Sequence, residues 1–243
     1  MKTIMGRLLI PGGLLLGTML ATPIHAQTYL YIAHAASGRN ISATANPAYP
    51  IDISIDGNCV VKGLTFGEIT GPLSGAAGSY HFVISPANTG SPCASPAVYS
   101  VESAPLADGT TYFGIVTLDS SNALIGQIYG ADFSSIPIGQ SRVMVANATD
   151  QNLSASLKDH PGQDHHRCKP NANVDVAADS IAEADAPSGS YEGSIYLSGT
   201  DTWEAGPVST NLQSRDLYFY VLAGSTSNNS VQIIGPKVIK DVF

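Results

Sequence analysis

Charge is scarce in this chain: Asp, Glu, Lys and Arg make up 12% of its 243 residues, about half the usual ~25% share. Leu/Lys/Glu-rich windows with helical period are few, which argues against a mainly helical fold. Cations are scarcest, 11 Lys and Arg against 19 Asp and Glu. Such an acidic surface repels phosphate backbones and anionic lipid heads, so nucleic-acid and membrane-surface partners are disfavoured. No apolar run after the first 26 residues is long enough to span a bilayer. No Gly-x-Ser-x-Gly elbow, His-Glu-x-x-His helix or phosphate-cradling glycine loop is present, and the expectation is a non-enzymatic protein with no catalytic or cofactor-binding residues. A single Trp, Trp203 in an Asp-Thr-Trp tripeptide, is a thin platform for stacking a sugar.

What the chain has in quantity is turn residues, with 24 Gly and 15 Pro. Frequent Gly, Pro, Ser, Thr and Asn between short apolar runs are the profile of many short strands joined by turns, and predict an all-β protein. Residues 1–26 read as a cleaved signal peptide: Lys2 and Arg7, an apolar stretch from Leu8 to Ala21, then Ile24-His25-Ala26 before Gln27. Removing Lys2 and Arg7 leaves 9 cations against 19 acids, a net charge near −10. The expected location is extracytoplasmic: secreted, periplasmic or attached to the cell surface.

The remainder contains an internal repeat. Gly78-Ser79-Tyr80 precedes LADGTTYFGIV (Leu106 to Val116), and Gly189-Ser190-Tyr191 precedes LQSRDLYFYVL (Leu212 to Leu222). In both copies a Leu stands before a polar turn and aromatics stand after it, the pattern of a corner that pins two sheet faces together. YLYIAHA (Tyr29 to Ala35) and RVMVANA (Arg142 to Ala148) match as first strands. Ile51 to Ile55 alternates strictly, which places its isoleucines in a core and Asp52 and Ser54 in water; Asp56-Gly57 then turns into Cys59-Val60-Val61. Leu64 to Ile69 is a further strand candidate, followed by a small-residue turn from Gly71 to Gly78. Val174-Asp175-Val176 pairs by pattern with Ile51-Asp52-Ile53. That alignment gives the second copy extra residues between its first two strands and removes its equivalent of Leu64 to Ile69. The strand density is that of two immunoglobulin-like β-sandwich repeats, residues 27–135 and 136–243.

The extra residues, KDHPGQDHHRC, hold His160, His165, His166 and Cys168. Imidazole and thiolate ligands this close together are chemically able to hold Zn²⁺ or Cu²⁺. Their spacing matches no compact zinc motif and adjacent histidines point apart, so a solvated surface insertion is the stronger reading. His34, in an apolar strand, reads as a hydrogen-bonded core residue. Three cysteines in an exported chain suggest one disulfide. Cys59 and Cys93 fall in one repeat, and their pairing would be worth roughly 3 to 4 kcal/mol in the chain-entropy model. Cys168 would then be free or bridge two molecules, and its pairing with either other cysteine stays open.

Taken in order, YIAHAASG, IDISIDGNCVVKGLTFGEI, AAGSYHFVIS and LADGTTYFGIV, then a shorter round of RVMVANAT, NVDV, PSGSYEGSIY and LQSRDLYFYVL, resemble domain-of-unknown-function family 4397 of exported bacterial proteins. The chain departs from that family's pattern in Ala-Ala-Ser-Gly after His34, in the long Asn40 to Pro50 loop and in the His-rich insertion. The resemblance implies a duplicated β-sandwich outside the cytoplasm and brings no activity or functional residues. The expected role is a binding or surface-associated module presenting the loops Asn40 to Pro50, Ser85 to Pro96 and Leu157 to Asn173 to an unknown protein or glycan partner. A metal-binding protein built on the insertion and a structural envelope component are the alternatives.

Overall fold

A computed structural model describes residues 27–42, 44–119, 121–159, 172–226 and 230–240. The first repeat runs β1 (Thr28–His34), a one-turn helix α1 (Gly38–Ile41), β2 (Ile51–Ile55), β3 (Asn58–Leu64), β4 (Ile69–Gly75), β5 (His81–Pro86), β6 (Tyr99–Glu102), β7 (Thr111–Leu118) and β8 (Leu124–Gly130). The second repeats it strand for strand: β9 (Gln140–Ala148), β10 (Leu153–Asp159), β11 (Ala172–Val176), β12 (Ser180–Pro187), β13 (Gly189–Leu197), β14 (Trp203–Leu212), β15 (Leu217–Ala223) and β16 (Gln232–Ile239). Each repeat is a sandwich of two four-stranded sheets, ordered β4-β1-β7-β8 over β3-β2-β5-β6 and β12-β9-β15-β16 over β11-β10-β13-β14. Within the first sheet of each pair, β1 runs parallel to β7 and β9 parallel to β15.

Three cores separate four layers. Leu30, Ile32 and Val116 fill the first sandwich with Ile51, Ile53 and Ile84 from the opposite sheet. Val143, Val145, Tyr218, Tyr220 and Leu222 fill the second. The intervening residues Tyr31, Ala33, Phe113, Ile115, Met144, Ala146, Phe219 and Val221 form a third core in which the two repeats pack face to face. The inner strands are therefore covered on both sides, which is why YLYIAHA, RVMVANA and LYFYVLA are mostly apolar, with His34, Arg142 and Asn147 as buried polar exceptions. Phe113 and Phe219 hold equivalent places in the two repeats, and their rings stack on each other with centroids 3.8 Å apart. Contact between equivalent residues marks a pseudo-twofold axis, as at an isologous dimer interface.

The repeated stretch acts as the predicted corner. Tyr112 Oη accepts a hydrogen bond from the Ala107 backbone N–H at 2.8 Å, and Tyr218 Oη accepts one from Gln213 at 2.8 Å while donating to the Asn211 carbonyl. The tyrosines of the two Gly-Ser-Tyr turns do the same job at the other side: Tyr80 donates to the Ala76 carbonyl and Tyr191 to that of Pro187. The linker into the second repeat is clamped by Arg142, which binds both carboxylate oxygens of Asp185 at 2.8 and 3.1 Å and the Asp132 carbonyl at 3.0 Å. Edge strands β4, β14 and β16 each carry a Gly-Pro pair where the pairing register shifts. Proline there removes a donor and the bulge bends the edge away, which discourages sheet-to-sheet aggregation.

Four expectations are corrected. Asp52 does not face water; it is 2% exposed, because the β5–β6 loop folds over it. The segment from Leu64 to Ile69 is the turn between β3 and β4, and the strand occupies Ile69–Gly75, within what reads as a small-residue turn. Val174-Asp175-Val176 belongs to β11, the counterpart of β3, so its match to Ile51-Asp52-Ile53 was one strand out of step. The His/Cys segment consequently joins β10 to β11 at the place of the Asp56-Gly57 turn, and no strand is lost from the second repeat, since β12 is the counterpart of β4.

Candidate functional site

The inner strands β1, β7, β9 and β15 all finish at one end of the molecule. There the sheets diverge around a cleft of about 630 Å³ lined by both repeats. Its floor is small, with Ala35 and its counterpart Ala148 beside Gly224, and Thr117 Oγ1 donates across the repeats to the Ala148 carbonyl at 3.4 Å. Its walls are polar: Arg39 and Asn40 from α1, Asp119 and Asn122 from the β7–β8 turn, Asp150 from the β9–β10 turn, and Asp179 before β12. Hydrogen bonds from the hydroxyl and N–H of Ser121 and the N–H of Ala123 hold the Asp119 carboxyl below the usual carboxylate range, so it is ionised at neutral pH. Asp150 accepts from the backbone and hydroxyl of Thr226. Three Asp and one Arg among the lining residues make the cleft net acidic, and its size suits a ligand of a few hundred daltons or the tip of a polymer.

Two of the three long loops reach this end. The β1–β2 loop supplies α1. His34, fully buried, accepts the Ala36 N–H on Nδ1 at 3.3 Å, which fixes the proton on Nε2; that atom donates to the Tyr49 carbonyl at 2.8 Å. Burial holds the ring below its ordinary pKa of 6.5, against the Tyr49 bond and the charge of Glu68. The β5–β6 loop is tied down by a Cys59–Cys93 disulfide and by Asp52, whose carboxylate accepts the N–H groups of Gly63, Asn88 and Cys93 at 2.8, 3.1 and 2.8 Å. Burial pushes the Asp52 carboxyl up, and these three bonds together with Lys62 outweigh it, leaving the group below the usual range.

His160, His165, His166 and Cys168 lie outside the described residues, in the chain between β10 and β11. Among the described residues no group of three or more His, Cys, Asp or Glu is placed to hold a metal ion. Trp203 is 55% exposed on the outer face of the second sandwich, in a cross-strand row with Tyr196, Ser154 and Asp175. No helix among the described residues is long and apolar enough to cross a membrane. The cleft itself has no signature in the sequence: its lining comes from five separate segments between Ala35 and Ser225, and Ala35 and Ala148 look like ordinary core residues.

The architecture is thus that of a tandem β-sandwich protein with a polar cleft between its repeats. The chain belongs to the family described as Domain of unknown function (DUF4397), which matches residues 28–153, from β1 to the start of β10. No curated protein sequence matches it. Among solved structures it is similar to a "putative cell adhesion protein" of Bacteroides uniformis (12% identity, 91% of this chain and 99% of that one, TM-score 0.29). It is also similar to the Bacillus anthracis TIE protein (10% identity, 83% of this chain and 35% of that one, TM-score 0.28). A "putative cell adhesion protein" of Parabacteroides distasonis shares 10% identity over 90% of this chain and 98% of its own, with a TM-score of 0.24.

Proposed function

We propose that this protein is a non-enzymatic, extracytoplasmic binding module that engages a protein or glycan with the cleft between its repeats. The observation that carries the reading is one of placement. β1 starts, and β16 stops (Ile239 pairs with Leu217), at the end opposite the cleft. Both outer ends of the described two-repeat block, Thr28 and Ile239, therefore lie away from the cleft and its two tethered loops. A disulfide on one of those loops is chemistry suited to an oxidising compartment, in keeping with the signal-like residues 1–26. The four-layer block offers a rigid base, so a partner meets a surface that needs little ordering on binding.

The test is binding of residues 27–243 to glycan arrays and to cell-surface protein fractions, repeated with Asn40→Trp and Asp150→Arg, which obstruct the cleft from different repeats, and with Trp203→Ala. Binding lost in both cleft variants with unchanged melting, and kept in Trp203→Ala, is the expected result. Binding that survives both cleft substitutions refutes the proposal.

A further inference from the structure

We propose that His34 is a proton-operated latch that holds α1 against the cleft at neutral pH and releases it in acid; this rests on the reading of the cleft as the binding site. The linkage is continuous. The ring grips the Tyr49 carbonyl at 2.8 Å. Tyr49 closes a turn onto the Asn46 carbonyl, and Pro47 accepts the N–H of Gly38, the first residue of α1. Gly38 lies so close to the Asn46 backbone that a side chain there would overlap it. The next two residues, Arg39 and Asn40, line the cleft.

A proton has one place to go, Nδ1, and that atom already accepts the Ala36 N–H. Protonation sets donor against donor in a buried site, and opening the loop relieves it. The titratable groups on the elements packed around the ring are few. Glu68, in the β3–β4 turn, favours the charged ring; Tyr49 meets the ring with its backbone carbonyl and Val116 is apolar; Arg39 lines the cleft from α1. Burial dominates and keeps the ring neutral. The sign follows. A group whose pKa is lowered in the closed state supports closure fully above its ordinary value of 6.5 and loses that support as pH falls through the closed-state value.

The second repeat supplies the matched control. Asn147 stands where His34 stands: His34 lies beside Val116 of β7, and Asn147 beside Leu222 of β15. Its Oδ1 accepts the N–H of Thr149, two residues on, as Nδ1 accepts that of Ala36, and its Nδ2 donates to the Gln151 and Val176 carbonyls. The two side chains make the same closure, and only one of them titrates.

Hydrogen exchange of the unliganded protein tests the latch. For the amides of Gly38, Ser42 and Tyr49, corrected for intrinsic rates, protection should fall below pH 6.5 by up to about tenfold per pH unit, at most roughly 30-fold between pH 7.5 and 5. It should stay flat in His34→Asn and His34→Gln, which keep the Nδ1-like acceptor and the Nε2-like donor respectively. The amides of Thr149 and Gln151 serve as an internal control within the wild type, and decide the matter should neither variant fold. A flat wild-type profile, an equal fall in the variants, or an equal fall around Asn147 overturns the latch. Because no partner enters the measurement, its outcome is separate from whether the cleft binds one.

Discussion

Removing one ring from the core between the repeats should destabilise both of them. Phe219 is fully buried, stacks on Phe113 at 3.8 Å and packs with Tyr31, Met144 and Val221. Truncation to Ala costs about 3–5 kcal/mol for a buried aromatic, a fall in melting temperature of roughly 6–20 °C for a chain of this size. Phe113→Ala should cost about the same, because the two rings are pseudo-symmetry mates, and the double variant should cost less than the sum by roughly 0.5–1.5 kcal/mol. The stronger expectation concerns cooperativity. Alone, the first sandwich would expose Tyr31, Ala33, Phe113 and Ile115 on one face, so the pair should unfold in a single transition. Trp203, the only Trp, reports the second repeat, and the Cys59–Cys93 disulfide constrains the first. Reduction of the disulfide should therefore shift the urea midpoint seen by Trp203 fluorescence and by circular dichroism together. Two separated transitions, or a Trp203 midpoint indifferent to reduction, would show that the third core does not couple the repeats.

Asp52→Asn should destabilise the protein by about 1–3 kcal/mol at pH 7, since the amide offers one neutral oxygen in place of a carboxylate accepting three N–H groups. The wild-type carboxyl is depressed, so its contribution is present above the ordinary value of 3.8 and lost as pH falls through the folded value; urea melts from pH 5 downward should show a shallower acid slope in the variant. Gly235 has φ +106 and a Cβ built on it would sit 2.7 Å from the Phe219 carbonyl, so Gly235→Ala should cost at least about 1 kcal/mol in a thermal melt. Tyr218→Phe should cost about 1–2 kcal/mol and Tyr112→Phe less, because Tyr218 makes two of the corner bonds and Tyr112 one.

Local pattern carried most of the fold. The tandem Leu-turn-Tyr-Phe segments announced a corner, and their side chains form one through Tyr112 and Tyr218. Alternation failed where burial came from outside the sheet. Ile51 to Ile55 alternates, yet Asp52 is buried because a loop thirty-six residues away in sequence donates Asn88 N–H to it, a contact invisible to a period-2 reading. The β4 error has a similar origin: Gly71-Pro72 looked like a turn, but its glycine makes the bulge that lets an edge strand continue past a proline. Val-Asp-Val in β11 alternates as Ile-Asp-Ile does in β2, so the triplet alone does not say which strand of the hairpin it occupies.

The cleft illustrates a different limit. A duplicated sandwich exposes the same face twice, and burying those faces against each other around a twofold axis leaves their ends unequal wherever the copies have diverged. Ala35 and Ala148 kept the floor small in both. At the rim the copies differ: the first repeat carries α1 and a titrating His34, the second a short turn held by Asn147. Asp119 and Asp150 tie down rim turns through their carboxylates, whereas the small floor and the Thr117 bond to Ala148 fix the spacing between the repeats. If that spacing is what matters, Ala148→Leu should prop the repeats apart and alter amide exchange at Thr117 and in both rims at once; an effect confined to the second repeat would show that the cleft is a by-product of two independent ends rather than a site made by their union.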